Sequence, residues 1–412
     1  DNRVVEVAKQ VKPSGRGELE ITDLHNWYLK QGELKVDIVK GNWIDAGTFE
    51  SLFASAELAR KLALEENPGL SRIPGRETGP FTGFQKQGSE GNFDVFFGMT
   101  FPAKKELGPL HKPSKKRVLI TGGAGFMGSN MIHYLLKKYQ DIEIVNFDKL
   151  TYAGNLKNLI DVENDPRYTF VRGDIADQKA IEELFSKQTF DVIINYAAET
   201  HVDRSILDPT AFLRTDIIGT YNLLEATKKY HVERMLQIST DEVFGEIPAG
   251  EFFESSPFQP NSPYSASKAG GDHLCRSYVQ TYKTPVIVTH SCNFYGPYQY
   301  PEKLIPLFIT NLISGKKVPI YGHGEQIREW IFTEDHCRAI DILLHEGELG
   351  QVYNIGTGER RKNIDVTKMI LASLGRDASF IEYVEDRPGH DVRYAVNSDK
   401  IRKIHNWKPE HT

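Results

Sequence analysis

The sequence predicts an α/β protein built on a doubly wound parallel sheet, with a smaller lobe toward its C-terminal end. Two observations carry this. From Arg117 onward, short apolar runs alternate with amphipathic stretches at the spacing of βα units. The first of these runs also leads into a glycine-rich turn that opens a helix-like stretch.

Taken in order, the strand runs are RVLIT, IEIVNF, TFVRG, DVIINYA, RMLQIS and PVIVTH. They are nearly continuous in apolar residues, as strands covered on both faces are. Helix-period runs at 129–139, 178–187, 210–230 and 262–282 lie between them. The front of the chain differs in texture. Residues 1–65 hold a short strand pattern at 33–39 and a helix-period run from Phe49 to Glu65. Residues 66–115 are broken by Asn67-Pro68-Gly69, Pro74-Gly75, Gly79-Pro80 and Gly108-Pro109, which reads as a linker. With 412 residues the chain has room for two to three domains of roughly 150 residues. The expected division is 1–65, 66–115 (linker), 116–290 (sheet domain) and 291–412 (mainly the smaller lobe).

Composition excludes several classes. Lys+Arg number 50 against 56 Asp+Glu, a net charge of −6, so no basic excess exists to hold nucleic acid or an anionic membrane. No apolar run reaches the roughly 18 residues a membrane span needs. Cys275, Cys292 and Cys337 form no CxxC and no even framework, which points to a reducing cytoplasm and no structural zinc. No HExxH, HxH or Cys/His spacing marks a metal site, and no GxSxG elbow marks a hydrolase. Asn195 and His231 read as structural. The chain opens on Asp1 without a signal-peptide pattern, and its true start is expected upstream.

The turn after RVLIT is Gly122-Gly123-Ala124-Gly125-Phe126-Met127-Gly128. Glycines there allow a tight turn and let the backbone approach a pyrophosphate at a helix N-terminus. Asp148 stands twenty residues beyond Gly128, at the end of the next strand. An acidic residue there suits a ribose 2′-hydroxyl and repels a 2′-phosphate, so a Rossmann-type site for NAD is predicted over NADP.

Tyr264-Ser265-Ala266-Ser267-Lys268 puts a phenol and an ammonium four residues apart on one helical face. A neighbouring ammonium and a positive nicotinamide ring are expected to lower the tyrosine pKa toward a working value. Any helix can carry YxxxK by chance; the glycine loop upstream gives it meaning. Ser239-Thr240-Asp241-Glu242 follows the strand RMLQIS and so falls at the carboxyl end of a sheet strand, where ligands bind in open α/β folds. Two adjacent carboxyls in different environments can serve as an acid and a base. The alternative is a solvated acidic loop.

Together the segments GGAGFMGSN, AAETHVDRS, STDEVFG, YSASK, YGPYQYPEKLIP, REWIFTEDH, YNIGTGE and RPGHDVRYA resemble the dTDP-glucose 4,6-dehydratases, extended short-chain dehydrogenase/reductases, over nearly all of 116–410. The Asp-Glu pair after Thr240 is the specific element: related 4-epimerases lack it, and UDP-xylose-forming decarboxylases typically show Ser-Glu. The resemblance implies Thr240, Asp241, Glu242, Tyr264 and Lys268 as catalytic residues. It implies a cofactor pocket of Gly122, Gly125, Phe126, Met127, Gly128, Asp148, Lys149, Leu150 and Thr151, with Asp174 and Ile175 at the adenine. Ala197, Ala198, Thr215, Tyr264, Lys268 and Asn293 would lie further along NAD. For the sugar nucleotide it implies His201, Thr240, Phe294, Lys303, Leu304, Ile305, Pro319, Ile320, Tyr321, Arg328 and Asn363. Asp386, Arg387, Pro388, Gly389 and His390 would close on the nucleoside end. Arg328 would pair with the diphosphate; its alternative is a surface ion pair with Glu325 or Glu329. The helices at 210–230 and 262–282 would pair across a two-fold axis, making a homodimer.

Three departures stand out. The family usually has asparagine at Phe294, more often has asparagine at Asp216, and continues past Trp407-Lys408-Pro409. Residues 1–65 carry a second resemblance: RGELEITD and WIDAGT look like the C-terminal part of glucose-1-phosphate thymidylyltransferases. There Glu18 would match a sugar contact and Asp45 a magnesium ligand. The first half of that fold is absent, so this piece reads as the remnant of a fusion or a cut gene. Within the same fold the alternatives are a UDP-glucose 4,6-dehydratase, a 4-epimerase or a decarboxylase; in another class, a non-catalytic NAD-binding scaffold.

Overall fold

The structure, a computed structural model, describes residues 116–411. These lie in the second of the chain's two units, Phe93–Thr412, and the expectations for 1–65 and 66–115 fall outside the described residues.

Twelve strands follow in chain order among the described residues: β1 (Lys116–Thr121), β2 (Ile142–Asp148), β3 (Tyr168–Arg172), β4 (Val192–Asn195), β5 (Arg234–Thr240) and β6 (Val286–Ser291). Then come β7 (Asn293–Tyr295), β8 (Val318–Tyr321), β9 (Ile327–Phe332), β10 (Val352–Ile355), β11 (Arg360–Lys362) and β12 (Ile381–Val384). The large sheet runs β10-β6-β5-β4-β1-β2-β3, and every pairing in it is parallel. The chain leaves β1 in one direction and β4 in the other. Their carboxyl ends therefore open a crevice at the switch point.

Alternation along the strands builds two cores. Val118 and Ile120 of β1 face one helical layer; Leu119 faces the other. The first layer holds α1 (Phe126–Lys138), through Met131, Ile132 and Leu135. The second takes α2 (Gln178–Lys187), through Ile181, Leu184 and Phe185. A short helix, α3 (Val202–Leu207), follows β4. The predicted helix at 210–230 forms, but not as one regular α-helix. It runs Thr210–Phe212, then a π-helical stretch Leu213–Gly219, then α4 (Thr220–Lys229).

The helix α5 (Pro263–Tyr282) matches the predicted 262–282. Ser262 and Ser265 form a reciprocal capping box, Pro263 sits in the first turn, and Lys283 ends it at φ +57°. The α5 helix packs tightly on the π-helical stretch: a Cβ on Gly271 would sit 2.7 Å from the Asp216 carbonyl oxygen. Glycine at 271 is what lets the two backbones meet.

After β6 the chain alternates between lobe and sheet. The lobe contains the sheet β11-β9-β7, the pair β12-β8, α6 (Leu304–Ile313), and, after α7 (Thr333–Glu346), the helix α8 (Asn363–Ser373). Phe308, Leu312, Val318, Ile320 and Leu371 form its core. Between these pieces α7 (Thr333–Glu346) returns to the first layer, with Cys337, Ile340 and Leu343 in that core, and β10 joins the large sheet beside β6. After α9 (Asp399–His405), Trp407 is buried in the same core and its Nε1 donates to the Asp335 carbonyl at 3.2 Å. The Asp335 carboxylate accepts the backbone N–H of Glu410 and His411, each at 2.9 Å.

Trp407→Ala is expected to destabilise the fold by about 3–5 kcal/mol, the usual range for emptying a buried tryptophan site. A denaturant midpoint unchanged from the parent would show that this segment does not anchor the core.

Candidate active site

A cavity of about 670 Å³ opens at the carboxyl ends of β1, β2, β4, β5 and β6 and extends under the smaller lobe. Its cofactor end is shaped by the glycine turn. Gly122 has φ +68°, and a Cβ there would lie 2.7 Å from the Ala197 backbone. A Cβ on Gly128 would meet the Gly122 carbonyl at 2.3 Å. The α1 N-terminus has no side-chain cap and no acid in its first turn, so nothing competes with an incoming anion for its N–H groups.

Asp148 ends β2. Its Oδ2 accepts from Ala124 N at 2.9 Å and its Oδ1 from Leu150 N at 2.7 Å, the latter with Leu150 at φ +59°. Burial raises the Asp148 carboxyl, and these two hydrogen bonds draw it back down. The donor set and the side-chain-free cradle fit a dinucleotide with a free ribose 2′-hydroxyl. Gly122, Gly125, Phe126, Met127, Gly128, Asp148, Lys149, Thr151, Asp174, Ile175, Ala197, Ala198, Thr215, Tyr264, Lys268 and Asn293 all line the cavity. Leu150 does not; its contribution is the N–H that orients Asp148.

At the other end His201, Thr240, Phe294, Lys303, Leu304, Pro319, Ile320, Tyr321, Arg328, Asn363, Arg387 and His390 line it, whereas Ile305, Asp386, Pro388 and Gly389 do not. Asp386 acts at one remove, receiving Gln326 Nε2 at 2.7 Å and meeting His390 Nδ1 at 2.6 Å, and both partners face the cavity. Arg328 is buried. It donates to the carbonyls of Ile327 (2.9 Å) and Asp391 (2.8 Å) and lies 4.2 Å over the Tyr394 ring. Glu325 pairs with Lys362 and Glu329 with Arg360, so the surface-ion-pair alternative for Arg328 does not hold. Phe294 sets its ring edge-on to His336 at 4.7 Å, an aromatic wall where the family usually presents an amide.

The acidic pair sits between these two ends. Thr240 ends β5, and Asp241–Phe244 form a 3-10 turn that Thr240 caps by accepting Glu242 N at 3.3 Å. Thr240 Oγ1 also donates to Asp241 Oδ1 at 3.3 Å. Asp241 is 3% exposed, so the solvated-loop alternative is excluded. Burial pushes the Asp241 carboxyl well above its ordinary value, and Glu242 and Glu329 add to the push. Burial also holds Glu242 above its ordinary value, with the guanidinium groups of Arg328 and Arg387 and the Lys303 ammonium limiting the rise.

The protein's own groups do not lower the Tyr264 phenol; the expectation places a positive nicotinamide ring beside it as well. Burial, Glu242 and Asp216 together hold the Tyr264 phenol well above its usual range, and a Thr240 hydrogen bond only partly opposes them. Lys268 does lie below Tyr264 on α5, but its Nζ donates to the Ile238 carbonyl at 2.7 Å. The low-dielectric pocket outweighs the ammonium.

Sequence reasoning passed over Glu199, Asp203, Glu302 and Gln326, which also line the cavity. Asp203 receives Arg387 Nη1 at 3.0 Å and the Tyr321 hydroxyl at 3.2 Å, joining α3 to the smaller lobe. Glu302 receives the Tyr152 hydroxyl at 2.9 Å and Arg204 Nη2 at 3.3 Å. Asp203 and Glu302 lie inside motifs already singled out, yet their partners are remote in sequence and no spacing rule reveals them.

A family model described as GDP-mannose 4,6 dehydratase matches residues 119–412, and one described as nucleotidyl transferase matches residues 1–61. A dTDP-glucose 4,6-dehydratase of Shigella flexneri is 47% identical over 322 residues, covering 72% of this chain and 89% of that protein. This chain belongs to the dTDP-glucose 4,6-dehydratase family. Another relative, the low-salt glycan biosynthesis protein Agl12 of Haloferax volcanii, is 48% identical over 293 residues, 71% of this chain and 93% of its own length. Among solved structures, a family member from Streptomyces venezuelae with NAD bound superposes with a TM-score of 0.70 at 47% identity, covering 72% of this chain and 92% of that one. The UDP-glucose 4-epimerase of Thermus thermophilus, also solved with NAD, reaches 0.67 at 29% identity, over 72% and 94%. The fold thus recurs beyond the family, in a protein 29% identical that was also solved with NAD.

Asp216 gives a pH-dependent prediction. It is buried with Ser267 Oγ donating to Oδ2 at 2.7 Å, while Oδ1 has no partner among the described residues. Burial lifts its carboxyl from 3.8 to about 7, against the pull of Lys268 and Ser267. A raised carboxyl binds its proton more tightly folded than unfolded. Its contribution to stability is therefore complete below the unfolded value and is lost as pH rises through about 7. Asp216→Asn should gain stability relative to the parent between about pH 4 and 7 and show a constant difference above that. Thermal melts whose difference is flat across that window would contradict the raised carboxyl.

Proposed function

We propose that the chain converts dTDP-glucose to dTDP-4-keto-6-deoxyglucose by an internal oxidation–reduction with loss of water, a hydro-lyase reaction. The observation that carries this is the acidic pair, Asp241 buried and Glu242 half-buried, lining one cavity with the dinucleotide cradle and the Tyr264 phenol. NAD, when bound, would accept hydride from the sugar C4 and return it at C6, and its oxidised ring would lower a neighbouring phenol.

The protein's own groups manage the protons. Tyr264, as phenolate, takes the C4 hydroxyl proton. A ketone at C4 then acidifies the C5 proton, and Glu242 removes it; burial holds this carboxyl above its ordinary value, which strengthens it as a base, and three cationic groups limit the rise. Asp241, held protonated by burial and by its acidic neighbours, donates to the C6 hydroxyl as it leaves as water. Glu242 then returns its proton to C5. Arg328, with its guanidinium held by carbonyls rather than carboxylates, keeps its charge for a diphosphate.

Exposed apolar side chains support a homodimer through the long helices: Leu213, Ile218 and Tyr221 on the π-helical and α4 segment, and Tyr282 at the end of α5. No helix among the described residues is long and apolar enough to cross a membrane, and the three cysteines are buried and free. Both fit a cytoplasmic enzyme acting on a soluble nucleotide sugar.

Removing one acid or base from such a step costs roughly 10²–10⁴-fold. Glu242→Gln should stall after oxidation, accumulating a 4-keto hexose and bound NADH. Asp241→Asn should still exchange C5–H with deuterium oxide while loss of the C6 hydroxyl slows. Tyr264→Phe should yield little NADH. Product analysis with dTDP-glucose and UDP-glucose in parallel tests the base as well; dehydration by Glu242→Gln within about tenfold of the parent would overturn the assignment.

Light scattering at micromolar concentration should give twice the 46.7 kDa chain mass. A monomer would contradict the dimer.

A further inference from the structure

The Tyr264 phenol and the acidic pair come from different elements, α5 and the turn after β5. The proposed dehydration, on which this need rests, uses both on one sugar within one turnover. The seating of α5 on β5 must therefore be fixed closely. Misplacement by about 1 Å costs about 10²-fold in rate, even when the change lies far from the chemistry.

Tyr264, Lys268 and Asp272 follow one another every four residues, one turn apart on one face of α5. Among the described residues, two side-chain contacts tie this face to the end of β5. The Lys268 ammonium donates to the Ile238 carbonyl at 2.7 Å. One residue on, the Ser239 hydroxyl donates to Asp272 Oδ2 at 2.6 Å, the length of a charge-assisted bond. His290 Nε2, on β6, meets the same oxygen at 3.1 Å. An ionised carboxylate only accepts, so the imidazole N–H is the donor. Ser239 and Asp272 are 4% exposed and His290 0%, so bulk water does not compete for these bonds.

The cluster reaches the acidic turn at both ends. Ser239 stands immediately before Thr240, whose side chain caps the turn. Phe244 closes the turn, and its ring meets the His290 ring edge-on at 4.8 Å. Elsewhere on α5, Gly271 lies against the Asp216 carbonyl, which fixes the helix from the π-helical side. Ser239 lines the cavity, but its hydroxyl is committed to Asp272; Asp272 and His290 do not line it.

We propose that Ser239, Asp272 and His290 are positioning residues that set the Tyr264 phenol against Asp241 and Glu242. Asp272 is the centre of the cluster. One of its oxygens takes hydrogen bonds from two neighbouring strands, while its backbone belongs to the helix that carries the phenol. No proton or electron passes through the three groups; they act on the sugar only through the side chains they hold in place.

Steady-state kinetics of the NAD-loaded protein with dTDP-glucose, read well below each variant's melting temperature, test this. Ser239→Ala removes the short bond and keeps the apolar packing. Its kcat should fall on the order of 10–100-fold while KM stays within about threefold, because Arg328 and the nucleotide end are untouched. Ser239→Thr keeps the hydroxyl and should stay within about threefold of the parent in both constants. Asp272→Leu should lower kcat at least as far as Ser239→Ala. Combining the two should be no slower than Asp272→Leu alone, since both remove the same contact. A Ser239→Ala protein with the parent's kcat, or one whose KM rises as far as its kcat falls, overturns the positioning cluster and leaves the dehydratase reading intact. Losses that add in the double variant, or a Ser239→Thr protein as slow as Ser239→Ala, do the same. A parent protein that forms no keto sugar overturns both.

Discussion

Two carboxyl groups and a phenol share a pocket that water scarcely reaches, and each resists ionisation there because burial penalises the charged form. The surrounding structure is arranged around that penalty. Strand β9 places Arg328 and Glu329 side by side in sequence, and alternation sends them to opposite faces. Arg328 comes to the cavity, where its charge draws Glu242 toward the ionised form. Glu329 lies behind, paired with Arg360 and accepting the Gly358 N–H, and its negative charge pushes Asp241 toward the protonated form. One dipeptide on one strand thus helps divide an acidic pair into an acid and a base.

The same environment holds Tyr264 above its ordinary range, so phenolate formation relies on positive charge from whatever binds beside it. A site of this kind stays quiet until it is filled.

The site depends equally on how two lobes meet. The large sheet supplies the cradle, the acidic turn and α5; the smaller lobe supplies Arg328, Arg387 and His390. Asp203 at the start of α3 ties to Arg387 and Tyr321 across the opening. The sheet itself needs the late chain, since β10 extends it beside β6 and α7 covers its first face. After β6 the chain therefore alternates between lobe and sheet.

Local rules determined a good deal of this protein from sequence alone. The apolar runs made the strands, Ser262-Pro263 set the start of α5, and the glycine at 128 had to be free of a side chain where it meets the Gly122 carbonyl. Those features follow from bonds and contacts between near neighbours in the chain, which spacing records. Only the tertiary structure decided the rest. It made 213–219 π-helical, turned the Lys268 ammonium onto a carbonyl, freed Arg328 from its acidic neighbours and raised the Tyr264 phenol in the protein alone. Each of these depends on burial and on partners brought from distant segments, as when Asp203 meets Arg387 across 184 residues. Desolvation is a property of the assembled pocket, and no spacing of residues along a chain encodes it.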